Sequence, residues 1–255
     1  MAKKGVTLAL SSGGARGFAH IGVIKVLEQH HIPILGIAGS SMGGLIGALY
    51  CTGYAGHMIE DLAQGVRRSH WIDFSLSKMG LVRGQKLLGM MNLLTRGLHF
   101  EDCRPPLKVV AVDIEKGEEV VIDSGSVAEG VRATTSIPGM FSPYVKDGRI
   151  LVDGGVLRRV PVSLAESLAD GVVVAVDVGV DLSPTVRSVF DILFQTFDIM
   201  ARELRRYQPT KADVVIEPAL QAVRDAEFTH VEDYIQAGEA ACQAHLPEIL
   251  ALLEE

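Results

Sequence analysis

The sequence predicts an α/β fold: a three-layer α/β/α sandwich around a mainly parallel central sheet. Three observations predict it. The chain opens as strand, loop, helix, strand, turn, helix, the alternation that builds a parallel sheet with helices on its faces. Its best strands, "GVTLAL" (5–10) and "GVVVAVDVG" (171–179), are almost continuously apolar, as strands buried on both sides are. The length, 255 residues, suffices for one substantial core, and no repeat, low-complexity tract or linker divides it. A single domain over 1–255 is expected.

The elements follow in order. After the strand at 5–10, "SSGGARG" (11–17) is a loop entering a helix, "FAHIGVIKVLEQHH". Ile21, Ile24, Val26, Leu27 and Ile32 give it an apolar side, and Pro33 ends it. "ILGIAG" (34–39) is the second strand, and "SMGGLIGALYCTG" (41–53) is a helix small enough in its side chains to lie close on a sheet. "HMIEDLAQGVRR" (57–68) is helical, 69–83 irregular, and "GQKLLGMMNLLTR" (84–96) helical. "LKVVAVDI" (107–114) is a buried strand that pairs with "EEVVID" (118–123) across Lys116–Gly117. "SVAEGVRATTS" (126–136) is a helix capped by Ser126 with Glu129 three residues on. "KDGRILVDGG" (146–155) turns at Asp147–Gly148 and runs as a short strand to Asp153. "PVSLAESLA" (161–169) is a helix begun by proline. Beyond the strand at 171–179 come a long amphipathic helix (183–208), a last strand "ADVVIEP" (212–218) and a closing helix (230–255).

Composition excludes several function classes. A net charge of −7 without blocks of like charge argues against nucleic-acid binding and against purely electrostatic adhesion to anionic membrane. The cysteines, Cys51, Cys103 and Cys242, are odd in number and far apart, and no Cys/His metal spacing occurs, so a reduced, cytoplasmic setting is expected. The first apolar run, Val6 to Leu10, is too short for a signal peptide, and no stretch reaches the ~18 apolar residues of a membrane span.

Three motifs carry chemistry. Gly39-Ser40-Ser41-Met42-Gly43 fits G-x-S-x-G between a strand and a helix, where small neighbours let a nucleophilic serine stand on a strained turn. The competing reading is a serine that only caps the helix. The glycine loop before the first helix, with Gly13 and Gly14, offers main-chain N–H groups to a negative charge. It fits neither a dinucleotide fingerprint, since Ser12 takes the first position and no acid ends the next strand, nor a P-loop, since no Lys follows. An oxyanion hole for an ester attacked by Ser41 remains. Arg16 either anchors this loop, contacts an anionic head group or forms a structural ion pair. The third motif is the base. Of the histidines, His230 is placed late enough for a Ser…Asp…His order. Asp153 stands at a strand end before Gly154 and Gly155, where a carboxylate can approach another group closely, and burial would raise its pKa. The plain alternative is an Asp-Gly turn.

Together "SGGARG" (12–17), "GSSMG" (39–43) and "DGG" (153–155) resemble the patatin-like phospholipases, in the family's order, and "ATTSIPGMFSPY" (133–144) is similar to the segment preceding the aspartate in bacterial members. The resemblance spans nearly the whole chain and departs at Ser12, where many members carry Gly. It implies a lipid acyl hydrolase needing no metal cofactor, with Ser41 as nucleophile, Asp153 as base and Gly13 and Gly14 in the oxyanion hole. Arg16, Gly17, Gly39, Gly43, Gly154 and Gly155 are its supporting positions. The implied partner is a lipid or other acyl ester, with transient contact at a membrane surface; "LLGMMNLL" (87–94) is either an acyl groove or lid, or an ordinary core helix. Acyl transfer to an alcohol, and a binding protein on the same scaffold, are the alternatives in function.

Overall fold

The computed structural model describes residues 4–65, 68–74, 79–179, 186, 189–207, 210–220 and 230–254. In chain order, β1 (Val6–Leu10) leads through a 3-10 turn (Gly14–Phe18) into α1 (Ala19–Gln29), β2 (Ile34–Ser40) and α2 (Met42–Cys51). Next come α3 (Gly56–Gly65), α4 (Arg68–Trp71), α5 (Gln85–Leu94), β3 (Leu107–Asp113) and β4 (Glu118–Ile122). The second half holds α6 (Val127–Thr134), β5 (Tyr144–Lys146), β6 (Arg149–Asp153), α7 (Val162–Glu166), β7 (Val172–Val176), α8 (Val189–Tyr207), β8 (Val214–Ile216) and α9 (Val231–Glu254). Each strand and long helix expected from the sequence is present within a few residues. The short α4 interrupts the stretch read as irregular, of which 75–78 lie outside the described residues, as do 183–185, 187–188 and 208 of the expected long helix.

One sheet runs β5-β6-β3-β2-β1-β7-β8, with β4 also on β3. From β3 to β8 the strands are parallel; β4 and β6 join β3 antiparallel. The sheet is therefore mainly parallel, with an antiparallel margin.

The register on β3 places the site. Val109 and Val110 pair with β2 and also with β4, so those strands lie on opposite edges of β3. Ala111 to Asp113 pair with β4 and also with β6, so β6 lies on the edge that β2 occupies. β2 stops with Ser40 opposite Val110, and β6 stops with Asp153 opposite Ala111. The two strand ends meet head to head on one edge.

Packing is unequal on the two faces. Val6, Leu8 and Leu10 of β1 join the large core formed with α1, α2, α6 and α9. The other face shows small residues, Ala9, Ala38 and Ala175, on which α7 lies through Ala165 and Leu164. α5 turns Leu87 and Met91 inward and leaves Leu93 exposed, so it is half core and half surface. No described helix is long and apolar enough to cross a membrane.

α1 and α9 approach to backbone contact. A Cβ on Gly238 would stand 2.0 Å from the Ala19 carbonyl oxygen, and one on Gly22 would stand 2.1 Å from that of Ile235. Lys25 of α1 joins Glu60 of α3 at 2.6 Å and also Glu239 of α9. Gly238→Ala must separate these helices, and urea unfolding should show a loss of about 1–3 kcal/mol.

Candidate active site

Ser41 follows the last residue of β2 and precedes the first of α2 with φ 52° and ψ −120°. A non-glycine residue there carries roughly 1–3 kcal/mol of backbone strain. The turn is possible because the residues two positions to either side, Gly39 and Gly43, lack side chains. A Cβ on Gly39 would meet the Gly44 nitrogen at 2.4 Å, and one on Gly43 would meet the Leu10 carbonyl oxygen at 2.3 Å. Ser41 occupies the N-cap position of α2 but makes no side-chain cap bond. Its Oγ instead donates to Asp153 Oδ2 at 2.5 Å, across 112 positions of sequence. The capping explanation therefore fails for the hydroxyl.

Asp153 ends β6 on the same edge of β3. Its Oδ1 accepts the Gly155 N–H at 2.8 Å, so the turn engages one oxygen and leaves the other for Ser41. Gly154 packs where a Cβ would meet the Val110 carbonyl oxygen at 2.3 Å. Asp153 is 6% exposed. Burial raises its pKa to about 6, against the bonds from Ser41 and Gly155 and the charge of Arg159, which favour the carboxylate. The carboxylate is thus a stronger base than an exposed aspartate and is still ionised at neutral pH.

The glycine loop lies against both residues. A Cβ on Gly17 would meet Met42 Cγ at 2.3 Å, and one on Gly155 would meet Ser12 Oγ at 2.7 Å. Gly14 has open space but φ +56°, a conformation that side chains disfavour. Gly13 packs where a Cβ would meet Val178 Cγ2 at 2.2 Å. The loop's base is pinned: Ser11 N–H donates to Val176, Ser12 N–H to Arg159, and Ser11 Oγ accepts from Val178 N–H, each at 3.0 Å. The N–H groups of Gly13 and Gly14 have no acceptor among the described residues. They are available to an anion.

Several supports were not singled out by the sequence. His20, fully buried in α1, sits under the loop with Nε2 2.9 Å from the Ser11 carbonyl oxygen. Burial lowers its pKa to about 4, so the ring is neutral and donates from Nε2. Thr134, inside the "ATTSIP" segment, accepts the Ser41 N–H at 2.9 Å. Arg16 Nε donates to the Gly13 carbonyl at 3.3 Å and Nη2 reaches Asp198 of α8 at 3.5 Å, so it anchors the loop and also forms an ion pair. Buried Asp177 pairs with Arg159 at 3.7 Å and with Arg205 of α8 at 3.4 Å. His230 is exposed and pairs with Asp233, while Ser41 has Thr134 and Asp153 as its partners. Among the described residues no group of three or more His, Cys, Asp or Glu side chains is placed to hold a metal ion.

The chain is similar to several known proteins. The sequence model of the Patatin-like phospholipase family matches residues 8–166. An uncharacterised NTE family protein of Mycobacterium tuberculosis is 38% identical over 161 residues, covering 62% of this chain and 44% of that protein. Patatin-like phospholipase domain-containing protein 6 of Mus musculus is 31% identical over 182 residues, 68% of this chain and 13% of that protein. The chain thus spans less than half the length of these curated relatives. Among solved structures, VipD from Legionella pneumophila superposes with a TM-score of 0.65 at 14% identity, covering 98% of this chain and 67% of that one. ExoU of Pseudomonas aeruginosa, in complex with SpcU, gives 0.58 at 17% identity, covering 100% of this chain and 54% of that one. These two likenesses show a shared fold.

The buried carboxyl has a measurable thermodynamic signature. With its pKa raised from 3.8 to about 6, the folded state binds more protons than the unfolded state between those values. Its contribution therefore lowers stability as pH rises through that window, by on the order of 3 kcal/mol at neutral pH. Asp153→Asn should be more stable than the unsubstituted protein at pH 7.5, and the gain should vanish near pH 4 in paired urea titrations. The difference between the two proteins isolates Asp153 from His20, whose lowered pKa acts with the opposite sign.

Proposed function

The chain belongs to the patatin-like phospholipase family, and from that premise we propose that it hydrolyses acyl esters of lipids, phospholipids or lysophospholipids, through Ser41 and Asp153 without histidine. The observation that carries this reading is the 2.5 Å bond from Ser41 Oγ to Asp153 Oδ2, made by a serine whose strained main chain aims it away from its own helix.

In this scheme Asp153 takes the hydroxyl proton as Ser41 Oγ attacks the ester carbonyl carbon. The carbonyl π electrons move to oxygen, which the free N–H groups of Gly13 and Gly14 receive. Each such donor is worth about 3–4 kcal/mol in the transition state. The intermediate collapses, the proton on Asp153 passes to the departing alcohol, and the acyl group stays on Ser41. Asp153 then draws a proton from water, which attacks the acyl carbonyl. The fatty acid leaves and the proton returns to Ser41.

A lipid substrate is supported by α8. It is tied to the glycine loop through Asp198 and Arg16, and its Leu193 Cδ1 would lie 3.3 Å from a Cβ on Gly139, so it spans from the loop to the segment after α6. Its outer side carries exposed Ile192, Leu193, Ile199, Met200 and Leu204. An exposed apolar stripe beside the loop favours a substrate presented by a lipid aggregate. A transient, peripheral contact with a membrane surface on the cytoplasmic side belongs to the same proposal.

Ser41→Ala should lose labelling by a fluorophosphonate and drop about 10⁴-fold or more in kcat on a short acyl ester. Asp153→Asn should drop about 10²–10⁴-fold. Because the carboxylate is the active form, kcat/KM should fall tenfold per pH unit below about 6. Wild-type turnover by either variant would refute the pair.

A further inference from the structure

Ser41 leaves the sheet at a point where its N–H loses an ordinary ladder partner. β2 is paired with β3 as far as Ser40 opposite Val110, and the chain then swings out to φ 52°. In a parallel ladder a carbonyl of the neighbouring strand would receive the next N–H. Here a side chain stands between them. Thr134 Oγ1 accepts from Ser41 N–H at 2.9 Å and donates to the Val110 carbonyl at 2.5 Å. The hydroxyl thus replaces one rung with two bonds in series, donating one and accepting the other. Thr134 has no solvent exposure, so no water competes for either bond.

The same segment holds the other partner. Two residues on, the Ser136 carbonyl accepts the Asp153 N–H at 3.0 Å. Ser136 Oγ is itself held by the buried Arg132 guanidinium at 2.6 Å, which also donates to the carbonyls of Arg83 at 2.8 Å and Ser142 at 2.6 Å. The end of α6 is therefore a common mount for the main chains of Ser41 and Asp153. The methyl of Thr134 packs against α2, where a Cβ on Gly44 would stand 3.0 Å from it.

We propose that Thr134 is a positioning residue for the reaction: its hydroxyl holds the main chain of Ser41 in the left-handed conformation that aims Oγ at Asp153. This rests on the hydrolase reading above. Without the hydroxyl, the Ser41 N–H must seek the Val110 carbonyl directly, which draws the turn back toward the ladder and carries Oγ off Asp153. Substrate need not touch Thr134, so the effect falls on kcat rather than KM.

The test compares Thr134→Val, Thr134→Ala and Thr134→Ser in the full chain, with circular dichroism and thermal melts as folding controls. The substrate is p-nitrophenyl butyrate, and fluorophosphonate labelling is followed in parallel. Thr134→Val, which keeps the methyl, should lose about 100-fold in kcat with KM within about threefold. Thr134→Ser should recover to within about threefold. The acid limb of the pH profile should move upward in the valine variant, because Asp153 loses a bond that favours its ionised form. A folded valine variant that labels and turns over at the unsubstituted rate overturns the proposal. So does a serine variant as impaired as valine, which would assign the effect to packing. If both hydroxyl-free variants fail to fold while serine folds, the hydroxyl serves the sheet and the positioning role is refuted. An unsubstituted chain that neither labels nor turns over overturns the hydrolase reading, and this proposal with it.

Discussion

Ser41 and Asp153 meet because β2 and β6 end on the same edge of β3, opposite Val110 and Ala111. Two consecutive residues of one buried strand thus set the spacing of two side chains 112 positions apart. Strand registry is a rigid ruler, since a slip of one residue would turn every side chain of that strand to the other face. β4 closes the opposite edge of β3, so the ruler is paired along both sides where the two strand ends approach. The antiparallel margin of an otherwise parallel sheet therefore has a specific consequence. It lets a strand arrive from the direction opposite to β2 and end where β2 ends.

The site is held in a state that the fold would not choose locally. Ser41 carries a positive φ, and Asp153 a carboxyl whose charge is disfavoured by burial. Both are maintained because their surroundings leave few alternatives. Backbone approaches at Gly43 and Gly154 admit no Cβ, and the ends of β2 and β6 are each fastened to the tail of α6. The cost in stability and the raised basicity have one origin. A carboxylate that water does not solvate is both expensive to bury and readier to accept a proton.

The glycine loop shows a second division of labour. Its Gly13 and Gly14 N–H groups face no acceptor among the described residues, while the strand end beneath them is held by hydrogen bonds: Ser11 to Val176, Val178 and His20, and Ser12 to Arg159. In the proposed reaction, donors fixed before an anion arrives need no reorganisation when charge forms. Arg16 pairs with Asp198 of α8, and Arg205 of α8 pairs with Asp177, so the helix bearing the exposed apolar stripe is tied to this region by ion pairs. Partly exposed ion pairs of that kind weaken as salt is added.

Much was legible in the residues themselves. Alternating apolar runs, Pro33, the Asp147–Gly148 turn and the Ser126 cap are local signals, and each produced the expected element because its cause lies within a few residues. The G-x-S-x-G and Asp-Gly-Gly motifs were equally local, and both stand at strand ends as expected. Other features had no local signature. His20 reads as one more helical residue, Thr134 as one of two adjacent threonines, and α8 as a helix with a polar and an apolar side whose orientation the pattern leaves open. The sequence by itself determined the elements, the residue types of the site and the turns that carry them. The tertiary structure alone decided that Ser41 and Asp153 share an edge, that burial lifts the carboxyl's pKa, and that a threonine hydroxyl stands in for a rung of the sheet. Those outcomes depend on which strands become neighbours and in what register, and that is set by the packing of the whole core rather than by any short stretch of chain.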